Sequence, residues 1–193
     1  MTKAENIVLT GFMGTGKTTV GRALSKSMGL RFLDADELIE NKAAMPVKDI
    51  FAGKGEPYFR RLEKEVIKEV TETMAGIVFS VGGGAVVDPE NRERLKSFGT
   101  VICLSAEPGV IVKRVGKGDE RPLLSVTPSP HRGEGGVRGN SGDALKRTSK
   151  ATELLKQRED AYKDCHFMVD TTHKDVKTVV REVEGFLMKS RNL

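Results

Sequence analysis

The chain is short of flat side chains. It has no tryptophan, and only eight phenylalanines and two tyrosines among 193 residues. Few aromatic faces and no stacking cluster speak against a protein that holds single-stranded nucleic acid. A dense basic block is also missing. Lysine and arginine outnumber the acids by 32 to 27, but they are spread along the whole chain and mixed with aspartate and glutamate. A net charge of +5 in that distribution suits a basic pocket for a small anion better than a nucleic-acid surface. Two cysteines, Cys103 and Cys165, make neither a metal-ligand spacing nor a disulfide framework. Cys103 lies inside the apolar run TVICLS and is expected in the core. No apolar stretch approaches the roughly 18 residues of a membrane helix. The apolar run before Gly11 is shorter than a signal peptide needs. A soluble, cytoplasmic protein with no membrane partner is expected. There is no internal repeat.

What the chain does have is alternation. NIVLT (Asn6 to Thr10), LRFLD, GIVFSV, TVICLS and HFMVDT read as five short buried strands. Between them lie helical patterns over Lys17 to Met28, stopped by Gly29, over Pro57 to Thr73, and from Pro89 to about Ser97. Further helices are read over Pro108 to Val115, from Ala144 to about Lys163, and from Val176 to Lys189. Phe59, Leu62, Val66 and Val70 share one face of the second helix. Strands alternating with helices imply a single α/β domain with a parallel sheet covered on both faces. Ligands of such sheets bind beyond the carboxyl ends of the strands.

The strongest local signal follows the first strand. GFMGTGKT, Gly11 to Thr18, fits G-x-x-x-x-G-K-[ST] between a predicted strand and a predicted helix. Gly11, Gly14 and Gly16 let the backbone curl so that N–H groups surround an anion. The helix start adds its dipole. Lys17 supplies a point charge to the β- and γ-phosphates, and Thr18 a hydroxyl to Mg²⁺. The motif specifies nucleotide phosphate binding and leaves the reaction open.

Other residues point to a second substrate. Asp34 and Asp36 follow the second strand at the same sheet edge, and at spacing i, i+2 both can face one cavity. One would hold Mg²⁺ through water and the other would accept a hydroxyl proton. The competing reading is a helix start, with aspartate at the N-cap and Glu37 in the first turn. Arg60 and Arg61 are adjacent on a helix, where a paired surface arginine is the ordinary reading. Gly82, Gly83 and Gly84 end a strand without side chains, which permits close approach by a ligand.

Taken in order, GFMGTGKTTVGRALS, FLDADELIE, DIFAGKGEPYFRRLE, GGGAV, RPLL and the R-x-x-x-Y of REDAY resemble the shikimate kinase family over nearly the whole chain. The phosphate loop alone is generic; the D-x-D, F-R-R-x-E and G-G-G-A set is much more specific. The resemblance implies a P-loop fold of nucleoside-monophosphate-kinase type, its five-stranded parallel sheet in the order 2-3-1-4-5, with a mobile lid. It implies transfer of the ATP γ-phosphoryl group to the 3-hydroxyl of shikimate by a monomer, a step toward chorismate and the aromatic amino acids. By motif, Gly14, Thr15, Gly16, Lys17, Thr18 and Thr19 would hold ATP, and Thr18 and Asp34 would manage Mg²⁺. Asp36 would bind shikimate hydroxyls and favour the attacking oxygen. Arg60 and Arg158 would hold the carboxylate, and Gly82, Gly83 and Gly84 would approach the ring. Arg121 would meet the transferring phosphate from the lid, Arg114 would lie near the adenine, and Lys174 is a further candidate there. This makes Arg60 the ligand and Arg61 the bystander. A kinase for another polyol acid such as gluconate, or a nucleotide-binding regulator, remains the alternative.

One stretch departs from the family. The lid is placed at about 116 to 145, and from about Ser125 to Gly142 it holds glycine, proline and serine with almost no aliphatic residue. That composition is expected of a flexible insertion behind a working RPLL motif.

Overall fold

The computed structural model describes residues 6–115 and 141–190, with the backbone alone at 141–144. Its centre is a five-stranded parallel sheet: β1 (Ile7–Thr10), β2 (Arg31–Asp34), β3 (Ile77–Ser80), β4 (Thr100–Ser105) and β5 (Phe167–Asp170). The strands lie in the order β2-β3-β1-β4-β5, as the resemblance implied. β1 and β3 are buried along their whole length, which is why they read as unbroken apolar runs. Register sets Val8 beside Phe79 and Val101, and Leu9 beside Ile102. Alternation then sends successive side chains to opposite faces.

Each face has its own core. Ile7, Leu9, Val78, Ile102 and Leu104 pack against α1 (Lys17–Met28) and α9 (Val176–Ser190) through Val20, Leu24, Val179, Val183 and Leu187. Gly21 belongs to this contact, because a Cβ there would strike the Phe32 ring. Val8, Phe79, Val101 and Cys103 face the other way. There they meet α2 (Ala35–Ala43), α3 (Val47–Gly53), α4 (Glu56–Thr73) and α5 (Pro89–Phe98). α6 (Pro108–Val115), α7 (Ser141–Gln157) and α8 (Glu159–Lys163) complete that layer. Cys103 is 1% exposed, and burial, then the neighbouring Cys165, pushes its thiol up to about 12.

Helix α1 ends at Gly29 in a left-handed conformation, its N–H bonded to the Ser25 carbonyl. α4 buries Phe59, Leu62, Val66 and Val70 as its period predicts. Two features differ from the sequence reading. α2 and α3 were not anticipated. They are nine and seven residues long, separated by Pro46, and bury little: Ala35 and Ile39 in one, Ile50 in the other. Side chains start them instead: Asp34 caps α2, and Glu40 Oε1 accepts from the Val47 N–H at 2.8 Å. The single helix expected from Ala144 to Lys163 is two, α7 and α8, joined at Arg158 with φ −107° and ψ 5°. α7 begins at Ser141, inside the segment assigned to the insertion. The rest of the insertion and the lid residues 116–140, Arg121 among them, lie outside the described residues. No helix among the described residues is long and apolar enough to cross a membrane.

Candidate active site

The loop between β1 and α1 follows from its glycines. Gly14 and Gly16 have φ of 77° and 94°, where a side chain would be strained. The Thr15 hydroxyl donates to the Phe12 carbonyl at 2.7 Å and holds the turn. Lys17 Nζ donates to the carbonyls of Gly11 at 2.7 Å and Phe12 at 3.1 Å, so the ammonium lies against the loop. α1 has no side-chain cap and no acid in its first turn. Its first N–H groups and its dipole therefore suit an anion at this loop.

A cleft of about 400 Å³ opens over this loop. Gly14 through Thr19, Asp34, Asp36, Arg114 and Lys174 all line it. Asp34 ends β2 and is 9% exposed. One of its oxygens accepts from the Thr18 hydroxyl at 2.9 Å, and the other from the Asp36 N–H at 3.0 Å. The carboxylate that caps α2 is thus also one that lines the cleft. That cap starts α2 so that Asp36 lines the cleft in its first turn. At the far end, Arg114 donates to the Gly14 carbonyl at 3.3 Å and to Thr171 through Oγ1 at 3.1 Å and the carbonyl at 2.8 Å. Lys174 pairs with Glu182 at 2.8 Å.

A second cluster adjoins the cleft at Asp36. β3 runs into Gly82, Gly83 and Gly84, and all three are small because side chains crowd them. A Cβ on Gly82 would lie 2.5 Å from Glu63 Oε1 and 3.8 Å from Asp36 Oδ1. One on Gly83 would lie 2.7 Å from the Gly11 carbonyl and 2.9 Å from the Tyr162 hydroxyl. One on Gly84 would lie 2.5 Å from the Arg60 guanidinium. The phosphate loop, α2, α4 and α8 therefore converge on this glycine turn.

Arg60 is held on α4 by two carboxylates one turn away on either side. It donates to Glu56 at 2.9 Å and to Glu63 Oε2 at 2.7 Å. Burial opposes its charge, but Glu63 and Glu56 outweigh burial and keep the guanidinium ionised. Arg61 is exposed and lies over Tyr58, 4.9 Å from the ring centroid. Glu63 is 1% exposed, and its Oε1 has no hydrogen-bond partner among the described residues. Burial raises its pKa above the ordinary carboxylate value; the Arg60 charge opposes this, Asp36 adds to it and Arg158 opposes it. The Arg158 guanidinium carbon is 5.9 Å from the centroid of the Phe12 ring. Tyr162, one turn beyond Arg158, donates to the Gly83 carbonyl at 2.7 Å.

Glu63 and Tyr162 were not assigned roles from sequence, although both close motifs quoted above. The signal for Glu63 was its spacing, since i, i+3 places it beside Arg60. Tyr162 stands at i, i+4 from Arg158 on the same terms.

A phosphate loop facing an acidic and arginine-lined pocket, at the carboxyl edge of a 2-3-1-4-5 sheet, defines a P-loop phosphotransferase with a small anionic acceptor. Comparison with known proteins specifies it further. The family model described as shikimate kinase matches residues 13–187. A shikimate kinase of Geobacter sulfurreducens is 42% identical over 184 residues, 95% of this chain and 91% of that one. One from Thermoanaerobacter pseudethanolicus is 39% identical over 93% of this chain and 94% of its own. The structure of shikimate kinase from Acinetobacter baumannii in complex with shikimate superposes with a TM-score of 0.83 at 32% identity, covering 96% and 94% of the two chains. A gluconokinase of Sinorhizobium meliloti, at 17% identity and TM-score 0.58, shares the fold alone. The chain belongs to the shikimate kinase family, and its chemistry is ATP-dependent phosphoryl transfer to shikimate.

Proposed function

We propose that the residues of the cleft and its adjoining cluster carry this transfer from the γ-phosphate of ATP to the 3-hydroxyl of shikimate in a cytoplasmic monomer. The supporting observation is continuity: the phosphate loop and Asp36 line one cavity, and Asp36 also reaches the glycine turn that Arg60 and Glu63 surround. Phosphoryl transfer asks chiefly for alignment and for cations where charge spreads. Lys17 serves the β- and γ-phosphates, and Arg121 the transferring group. Arg60 and Arg158 fix the acceptor through its carboxylate, as forked guanidiniums do well. Gly83 gives the ring close backbone approach. Fixing the acceptor in line can remove on the order of 7–11 kcal/mol of barrier. Asp36 accepts the hydroxyl proton as the oxygen attacks. Arg114 and Lys174 border the adenine end.

Mg²⁺ fits the residues present. The Thr18 hydroxyl and the Asp34 carboxylate, 2.9 Å apart on the cleft wall, are hard oxygen donors of the kind that hold Mg²⁺ together with water and phosphate oxygens. When bound, the ion would neutralise charge on the β- and γ-phosphates. The test is ADP release from ATP and Mg²⁺ with shikimate, with gluconate and with no acceptor. Release that depends on shikimate alone is expected. Release that ignores shikimate, or follows gluconate, would overturn the reading.

A further inference from the structure

We propose that Tyr162 is a positioning residue for Arg158, its phenol oxygen fixing where that guanidinium meets the acceptor carboxylate. The inference rests on the reading of Arg158 as a carboxylate ligand. Arg158 is not placed by regular helix geometry. It stands at the junction of α7 and α8, with φ −107° and ψ 5°, so the direction of its long side chain depends on what that chain touches. One neighbour is the Phe12 ring, 5.9 Å away, which gives a face but no hydrogen bond. Another is Tyr162, which the Arg158 side chain reaches by hydrogen bond.

Tyr162 suits the task for three reasons. It lies in α8, which Arg158 immediately precedes, and its phenol is hydrogen-bonded by the Arg158 side chain. Its ring is 6% exposed and held in the core layer under the phosphate loop. Its one proton is committed to the Gly83 carbonyl at 2.7 Å, which orients the phenol and leaves its lone pairs as acceptors for an N–H donor. The Arg158 charge acts on this phenol, favouring ionisation, yet burial dominates and pushes the phenol up to about 12. The oxygen therefore stays a neutral, protonated hydroxyl at working pH, giving to Gly83 and open to Arg158. Gly83 completes the arrangement, since a Cβ there would sit 2.9 Å from the phenol oxygen. One hydroxyl thus ties the substrate-side glycine turn to the arginine at the α7–α8 junction.

The experiment is a double-mutant cycle read by steady-state kinetics. Tyr162→Phe keeps the ring and its packing and removes only the hydroxyl. It is expected to raise the shikimate KM about five- to tenfold, the scale of one ordinary side-chain hydrogen bond lost. kcat and the ATP KM should stay within twofold, which a general loosening of the fold would not give. In an Arg158→Ala background the same change should have no further effect on the shikimate KM. It should also have no effect on an acceptor lacking the ring carboxylate. An unchanged shikimate KM in Tyr162→Phe overturns the proposal. A full effect persisting without Arg158 also overturns it, and assigns the phenol to the Gly83 turn instead. Arg158→Ala with a normal shikimate KM overturns the carboxylate reading itself, and this inference with it.

Discussion

Glu63 combines burial with half-satisfied hydrogen bonding. It is buried, paired on one oxygen with Arg60, and unpartnered on the other among the described residues. Removing charge from water is costly unless the partner geometry is complete, and here it is half complete. What the arrangement provides is direction: Arg60, pulled from both sides by Glu56 and Glu63, cannot swing into solvent. Arg60, Asp36 and Arg158 are the charges that act on Glu63, and the net result with burial is a raised pKa. The sign follows. A carboxyl whose folded pKa exceeds its unfolded value binds protons more tightly when folded. Its contribution to stability is full below the ordinary glutamate pKa and is lost as pH rises through the raised value. Glu63→Gln should therefore gain thermal stability relative to the parent as pH rises across that window, measured as the difference in Tm. The same variant should weaken shikimate binding, because Arg60 loses its inner anchor. Asp36 is tested more simply. Asp36→Asn should lower kcat by about 10²–10⁴, the range of general-base contributions, while ATP affinity measured by titration stays near normal.

Among the elements, the strands were the most legible. Four- to six-residue apolar runs bounded by glycine or polar residues have few other readings, and all five lie where their runs predicted. α1 and α4 were also plain, one from its glycine stop and one from its buried stripe. α2 and α3 were not, because short helices that bury one or two residues carry no period to detect. Their starts depend on side chains of Asp34 and Glu40 that read equally well as surface charges. The break at Arg158 was hidden for a related reason: helix-forming residues run straight through it. In the site, the phosphate loop was readable from local spacing alone. The cluster around the glycine turn was not, because α2, α4, α8 and the β3 turn meet only in the fold; the family motifs named residues there that local chemistry left open. The glycine turn shows the difference. None of Gly82, Gly83 and Gly84 has positive φ, so their smallness comes from neighbours rather than from backbone freedom. Gly84→Ala should thus push the Arg60 guanidinium aside. A rise of several-fold in the shikimate KM is expected, with the ATP KM unchanged.

For the whole molecule, the sheet holds two layers that do different work. The α1–α9 layer is a continuous apolar core, whereas the opposite layer carries the helices of the cluster around the glycine turn. α6 and α7, on either side of the insertion, both pack within that opposite layer. Loop closure costs only about 0.6 kcal/mol per doubling of length. Removing Ser125 to Asn140 should leave shikimate-dependent ADP release within a few-fold of the parent; complete loss would show that the insertion takes part in the reaction. The two halves of the cleft meet at Asp34, whose oxygens are shared between the Thr18 hydroxyl and the Asp36 amide. Any nucleotide complex that draws on the first bond also bears on the second, and so on the start of the helix that carries Asp36. Seen as thermodynamic linkage, Asp34 would join two binding equilibria. By whatever factor the nucleotide alters affinity for the acceptor, the acceptor must alter affinity for the nucleotide by the same factor.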